Sequence, residues 1–143
     1  MSDWIALGEH RYRTEEDLLH WVNGPEHSAE EIVELVSQAY ALFLRYGYAL
    51  LLVDCTRGGH ASAAGRKAVI EFIRTHRPTR TATALVGASA PTRVAGQLIT
   101  RALTALKIQS TARSLTFLVD EAAAQRWLAE QRRIFQGAAK KPG

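Results

Sequence analysis

The segment Tyr48–Asp54, with the sequence YALLLVD, is apolar with almost no alternation between apolar and polar side chains. A strand exposed on one face alternates, whereas a strand covered on both faces of a parallel sheet does not. A loop containing Gly58-Gly59 follows, and then a helical pattern that Pro78 prevents from continuing. This succession predicts an α/β fold around a buried central strand.

The rest of the chain alternates strands and helices in the same way. The predicted order begins with a hairpin from HRYR and LLHWV, a helix from the capping box of Ser28 and Glu31 to Gly47, and the central strand. It continues with a helix over 62–76, a strand over 81–87, a helix over 91–107 and a strand over 114–119. A last helix follows the N-cap Asp120. Right-handed crossovers then give a mainly parallel sheet with N-terminal hairpin or edge strands and about four helices.

A chain of 143 residues supports one hydrophobic core. We therefore expect one α/β domain over residues 1–135 and a disordered basic tail over residues 136–143. No apolar run approaches the roughly 20 residues of a membrane span, and the N-terminus lacks the pattern of a secretory leader. The single cysteine, Cys55, cannot form an internal disulfide and is expected to be a packed core thiol. These features predict a soluble, cytoplasmic protein.

The charge is distributed unevenly along the chain. Residues 1–46 hold nine acidic and three basic residues, and residues 47–143 hold five acidic and fifteen basic residues. The bases of the second segment either form a solvated helix face or face an anionic partner. Few aromatic residues lie among them, which argues against nucleic-acid binding.

Two predicted strand-to-helix loops carry polar residues, over 55–62 and 87–93. Ligands of open α/β sheets bind at the carboxyl ends of the strands, so neighbouring strands would bring both loops to one rim. Helix N-termini and arginines there would suit an anion or a protein partner, although such termini also occur without a ligand. The candidate binding residues are Asp54, Thr56, Arg57, Gly58, Gly59, His60, Ser62, Ser89, Thr92 and Arg93.

The known catalytic motifs do not fit these loops. A nucleotide-binding P-loop needs four residues between its glycines, whereas Gly59 and Gly65 enclose five and no hydroxyl residue follows Lys67. The segment GASAP resembles a hydrolase nucleophile elbow, but every histidine precedes Ser89 in the chain. The histidine spacing matches no metal motif. We therefore expect no metal, no cofactor and no enzymatic activity.

Five segments together resemble the STAS-like family, specifically bacterial SpoIIAA-like or STAS/SEC14-type domains, over roughly residues 8–133. They are GEHRYRTEEDLLHWVNG, YALLLVDCTRGG, GRKAVIEFIR, LVGASAPTRVAGQLITRAL and TFLVDEAAAQRWLAEQR. The family's anti-sigma-factor antagonists bind a protein partner, and phosphorylation of a serine at a helix start blocks that binding. The resemblance therefore implies a regulatory, protein-binding module whose partner is an anti-sigma factor or a kinase-like regulator.

The residues of the family's switch match only in part. Asp54-Cys55-Thr56 fits its strand-end motif and Gly65 fits its final glycine, but Ala64 stands where the resemblance places the phospho-acceptor. Ser62 and Thr56 are then the remaining candidate acceptors. A phosphate there would add nearly two negative charges at a helix N-terminus. Without modification, Ser62 is simply an N-cap.

Three functional hypotheses follow. The leading one is a non-catalytic STAS-like module that binds a protein partner through the rim over 56–62. The alternative is a carrier or sensor of a small apolar or anionic ligand, suggested by the SEC14-type relatives and by the apolar positions Val94, Leu98, Ile99, Ala102, Leu103 and Leu106. The third is a small enzyme that uses His60 and Asp54. A homodimer is compatible with the first two.

Overall fold

A six-stranded sheet forms the centre of the molecule. The computed structural model describes residues 3–25, 28–58, 61–78, 80–105 and 112–140. The strands are β1 (Ile5–Leu7), β2 (His10–Glu15), β3 (Leu18–Val22), β4 (Ala49–Asp54), β5 (Arg80–Val86) and β6 (Ala112–Leu118), and the helices are α1 (Ala29–Tyr46), α2 (Ala63–His76), α3 (Ala90–Ala105) and α4 (Glu121–Lys140).

The strands lie side by side in the order in which they occur in the chain. Strands β1, β2 and β3 are antiparallel, and β3, β4, β5 and β6 are parallel. The predicted α/β fold, with its mainly parallel sheet, N-terminal hairpin and four helices, is confirmed. Strand β1 adds a third antiparallel strand before the predicted hairpin.

The ends of α1 follow from its capping residues. Ser28 accepts a hydrogen bond from the backbone N–H of Glu31, and the Glu31 carboxylate accepts one from the backbone N–H of Ser28. Gly47 ends the helix with a left-handed φ of 82°, and its N–H donates to the Phe43 carbonyl. Both ends lie where the capping box and the glycine predict them.

The two faces of the sheet are covered by different helices. Helix α4 packs Leu128 against Leu50, Leu52, Ala82 and Ala84. On the other face, α1 packs Ala39 and Leu42 against Leu19, Trp21, Leu51 and Val53. Strand β4 is thus buried on both faces, as its unbroken apolar sequence predicts.

The coverage of β5 is uneven. Ala82, Ala84 and Val86 point toward α4 and are buried, whereas Thr83 and Leu85 point to the opposite face and are only partly buried. Leu51 and Val53 lie beside Thr83 and Leu85 in the register. Helices α2 and α3 therefore cover this side of the sheet incompletely, and a cavity lies beneath them.

A buried ion pair joins α4 to the hairpin. Arg132 donates two hydrogen bonds to the carboxylate of Asp17, with both N···O distances at 2.8 Å. The Tyr48 hydroxyl donates to the same carboxylate at 2.6 Å. Burial opposes ionisation of Asp17, but the hydrogen bonds from Arg132 and Tyr48 outweigh it, so the pKa of Asp17 is lowered.

The end of α4 corrects one expectation. Residues 136–143 were expected as a disordered tail, but α4 continues to Lys140. Phe135 is buried against the ring of Tyr48, and the side-chain amide of Gln136 donates to the Tyr48 hydroxyl at 3.1 Å. These contacts hold the last turns of the helix at a place where the composition alone indicates disorder. Residues 141–143 lie outside the described ranges.

We predict that Asp17→Asn lowers the free energy of unfolding by about 2–3 kcal/mol, which is modest for a buried pair because the Arg132 side chain is partly exposed. Because the folded pKa of Asp17 lies below its ordinary value of 3.8, the contribution of this group is present above that pH and disappears as the pH falls through the folded pKa. Urea unfolding between neutral pH and pH 3 measures both effects.

The matched control is Arg133→Gln, which breaks the exposed neighbouring pair with Glu130. Its free energy of unfolding should equal that of the wild type. A stabilising role of this ion pair would be contradicted if both variants lost the same free energy of unfolding. It would also be contradicted if the free energy of unfolding of Asp17→Asn depended on pH as that of the wild type does.

Candidate functional site

The two loops singled out in the sequence share one rim. The N–H of Cys55 donates to the carbonyl of Val86 at 2.8 Å, which joins the ends of β4 and β5. Gly87 has a left-handed φ of 66°, and a Cβ atom there would lie 2.6 Å from Cγ2 of Thr56. The loops are thus in direct contact, and glycine is the residue that permits it.

The loop after β4 is ordered by Asp54. One oxygen of its carboxylate accepts hydrogen bonds from both the backbone N–H and the hydroxyl of Thr56, at 2.9 and 2.6 Å. Gly58 closes a turn onto the carbonyl of Cys55. The predicted site residues Gly59 and His60 lie outside the described residues, so the hypothesis of a small enzyme based on His60 and Asp54 stays a prediction.

Ser62 is the N-cap of α2. Its hydroxyl accepts a hydrogen bond from the N–H of Gly65 at 3.1 Å, and its side chain is exposed. Thr56 is exposed on the same rim. Both candidate phospho-acceptors are therefore accessible, and each hydroxyl already takes part in a local hydrogen bond.

The two arginines of the rim do not converge on a common point. Arg57 donates to the carbonyl of Glu9, at 3.1 Å, on the hairpin side of the sheet. Arg93 donates to the carbonyl of Ala88 at 3.3 Å, and its guanidinium lies over the ring of Phe117. The anion site expected from two arginines and two helix N-termini is not assembled in this arrangement.

The loop after β5 divides its polar residues between solvent and interior. The hydroxyls of Ser89 and Thr92 lie 3.2 Å apart in the first turn of α3. Ser89 is exposed, whereas Thr92 is buried and lines the cavity beneath α3. Thr92 is thus a predicted rim residue that reaches the interior.

A hydrogen-bonded chain that the sequence analysis missed lies at the end of β3. The indole N–H of Trp21 donates to Asn23 Oδ1 at 2.7 Å, and Asn23 Nδ2 lies 3.6 Å from Cys55 Sγ. Burial raises the pKa of Cys55 to about 11, so the thiol stays neutral near pH 7 and is a poor nucleophile. Asn23 also lines the cavity. Its position directly after an apolar strand was the available signal.

A cavity of about 820 Å³ lies on this face. It lies between the sheet on one side and α1, α2 and α3 on the other. Its walls are mostly apolar, and hydroxyls of Thr81 and Thr83 on β5 add polar groups at its floor. The main apolar contributors are Leu35, Leu51, Val69, Phe72, Ile99 and Phe117.

The apolar positions of α3 separate into two faces. Ile99 and Leu103 line the cavity, whereas Val94 and Leu98 are exposed, at 52% and 41%. The sequence grouped these residues as one broad apolar face. Leu106, the last member of that group, lies outside the described residues.

The described residues contain no group of three or more His, Cys, Asp or Glu side chains placed to hold a metal ion. Within the same ranges, no helix combines the length and the apolar character needed to cross a bilayer.

No protein-family model matches the chain, and a search of curated proteins found no significant match. Membership of the STAS-like family therefore stays a prediction.

We predict that Gly87→Ala lowers the free energy of unfolding by about 2–4 kcal/mol, because it combines left-handed strain with overlap against Thr56. At Gly58, φ is 85° and an added Cβ would meet no atom of the described residues within 4 Å, so Gly58→Ala should lower the free energy of unfolding by only about 1 kcal/mol.

Thr56→Ser removes Cγ2 but keeps the hydroxyl that donates a hydrogen bond to Asp54. The double variant Gly87→Ala with Thr56→Ser should therefore recover part of the loss, and a double-mutant cycle from urea unfolding measures the coupling. Additive effects would show that the two loops are not in contact.

Proposed function

We propose that the protein is a non-catalytic carrier or sensor that binds a small apolar ligand in the cavity between α1, α2, α3 and the sheet. The observation that supports this function is the cavity itself, with about 820 Å³ of space and mainly apolar walls. Its volume falls in the usual range for small-molecule sites, roughly 300–1,000 Å³.

The apolar character of the cavity wall supports the same proposal. Lining residues of α3 are exposed, so the cavity is accessible to water when no ligand is bound. Water is a poor occupant of a largely apolar wall. An apolar ligand that displaces this water would bind by the hydrophobic effect.

The polar groups around the cavity indicate the character of the ligand. Thr81 and Thr83 offer hydroxyls on the sheet, and Arg101 is the charged residue among those that line the cavity. The hydroxyls of Thr100 and Thr104 donate to carbonyls of their own helix. A mainly apolar molecule with one small polar group fits this distribution.

We expect the neutral dye Nile red to gain fluorescence on binding the wild-type protein. Ile99→Trp places an indole in the cavity and should weaken dye binding by about tenfold, while the free energy of unfolding stays equal or rises because apolar space is filled. Fluorescence titration and urea unfolding provide the two measurements.

Leu98→Trp is the matched control, because Leu98 is the neighbouring residue on the same helix and points to solvent. It should bind the dye as the wild type does. An apolar ligand at one hundred times its Kd should also stabilise the wild type by about 2.7 kcal/mol. No fluorescence gain in the wild type, or equal loss in both variants, would contradict the proposed site.

A second candidate function is the partner-binding module implied by the STAS-like resemblance. The observation in its favour is that Thr56 and Ser62 are both exposed on the rim at the start of α2. A phosphate on Ser62 would lie at the helix N-terminus and change the charge that a partner meets.

Ser62→Asp and Ser62→Asn separate this candidate from a structural role, because both residues are good N-caps and only one is charged. A partner captured from extracts of the protein's own host should be retained by Ser62→Asn and lost by Ser62→Asp. Quantitative mass spectrometry of the captured proteins measures the difference. Equal capture of the partner by both variants would contradict a phosphorylation switch at Ser62.

A further inference from the structure

The outer surface of α3 combines apolar and basic side chains. Val94 and Leu98 are exposed, and Arg101 follows one turn later on the same side of the helix. Arg93 is exposed beside them, and α3 contains no acidic residue. An exposed apolar stripe flanked by bases is typical of helices that lie at the surface of a bilayer.

The neighbouring helix extends the positive charge. Lys67, Arg74 and Arg77 are exposed on or at the end of α2. Helix α2 has one acidic residue, Glu71, whose carboxylate lies 3.5 Å from Arg74, so its exposed bases outnumber its acids. The layer above the cavity therefore presents a basic surface.

The cavity opens beside this surface. Gln97, Thr100, Arg101 and Thr104 line the cavity and are also exposed, which places its mouth along α3. The inner side of the same helix supplies Ile99 and Leu103 to the cavity wall. A ligand that enters here passes next to Leu98 and Arg101.

We propose that the outer face of α3, with the bases of α2, binds the surface of an anionic phospholipid bilayer. This contact rests on the surface alone and does not depend on the proposed ligand-binding function. Anionic headgroups attract Lys and Arg within a Debye length, and Val94 and Leu98 enter the boundary with the acyl chains.

Sedimentation with vesicles tests the contact. The full chain is mixed with vesicles of phosphatidylcholine alone, or with vesicles in which a third of that lipid is replaced by phosphatidylglycerol. We expect the protein to sediment with the anionic vesicles and not with the neutral ones, and added salt should reduce the bound fraction. Binding to neither preparation, or equally to both, would overturn the proposal.

Three variants locate the contact. Leu98→Glu and Arg101→Glu should each lower the affinity for anionic vesicles by about tenfold or more, since each adds a negative charge where the bilayer is negative. Leu44→Glu makes the same kind of change at a more exposed apolar residue of α1, Leu44 being 65% exposed, and should bind as the wild type does. Wild-type binding by Leu98→Glu and Arg101→Glu would overturn the assignment of this face.

Nile red titration without vesicles separates the two proposals. Leu98→Glu should bind the dye as the wild type does but no longer bind anionic vesicles. Its dye binding also verifies that the variant folds. Ile99→Trp should lose dye binding and keep the vesicles. If the wild type binds the dye but not anionic vesicles, the proposed membrane contact is overturned and the proposed ligand site is still supported. Vesicle binding without dye binding would support the contact and contradict the ligand site.

Discussion

The arrangement of the molecule depends on the sequential order of its four parallel strands, β3 to β6. Crossovers between parallel neighbours are almost always right-handed, so three consecutive crossovers in one direction place their helices on the same face of the sheet. Helices α1, α2 and α3 share that face, and, of the described helices, α4 covers the other. The small side chains of Ala82 and Ala84 allow α4 to approach β5 closely. Helix α4 thus buries the inner residues of β4 and β5 on one face, while three helices leave a cavity on the other.

The two faces consequently have different physical roles. The face under α4 is held by apolar packing and by the Asp17–Arg132 pair, whose carboxylate is also bonded to Tyr48. That packing supplies stability. The opposite face leaves Thr83 and Leu85 only partly buried, and the ligand of the proposed function would cover them.

The elements that the sequence predicted best are those fixed by local chemistry. The capping box of Ser28 and Glu31, the glycine stop at Gly47 and the unalternated strand β4 all act within a few residues, and the structure has each of them. The rim was predicted only as far as its backbone. The directions of Arg57 and Arg93 depend on Glu9 and Phe117, which are distant in the chain, so the predicted pair of arginines does not converge.

The sequence by itself determined the order of elements and the ends of α1 and α2, because these depend on periodicity and short-range hydrogen bonds. Tertiary structure decided that α4 continues beyond residue 135, since Phe135 and Gln136 contact Tyr48, the residue before β4. It also decided that the apolar residues of α3 divide between a cavity and solvent. Periodicity shows that a helix has apolar positions, but only the packing of its neighbours determines which of them are covered.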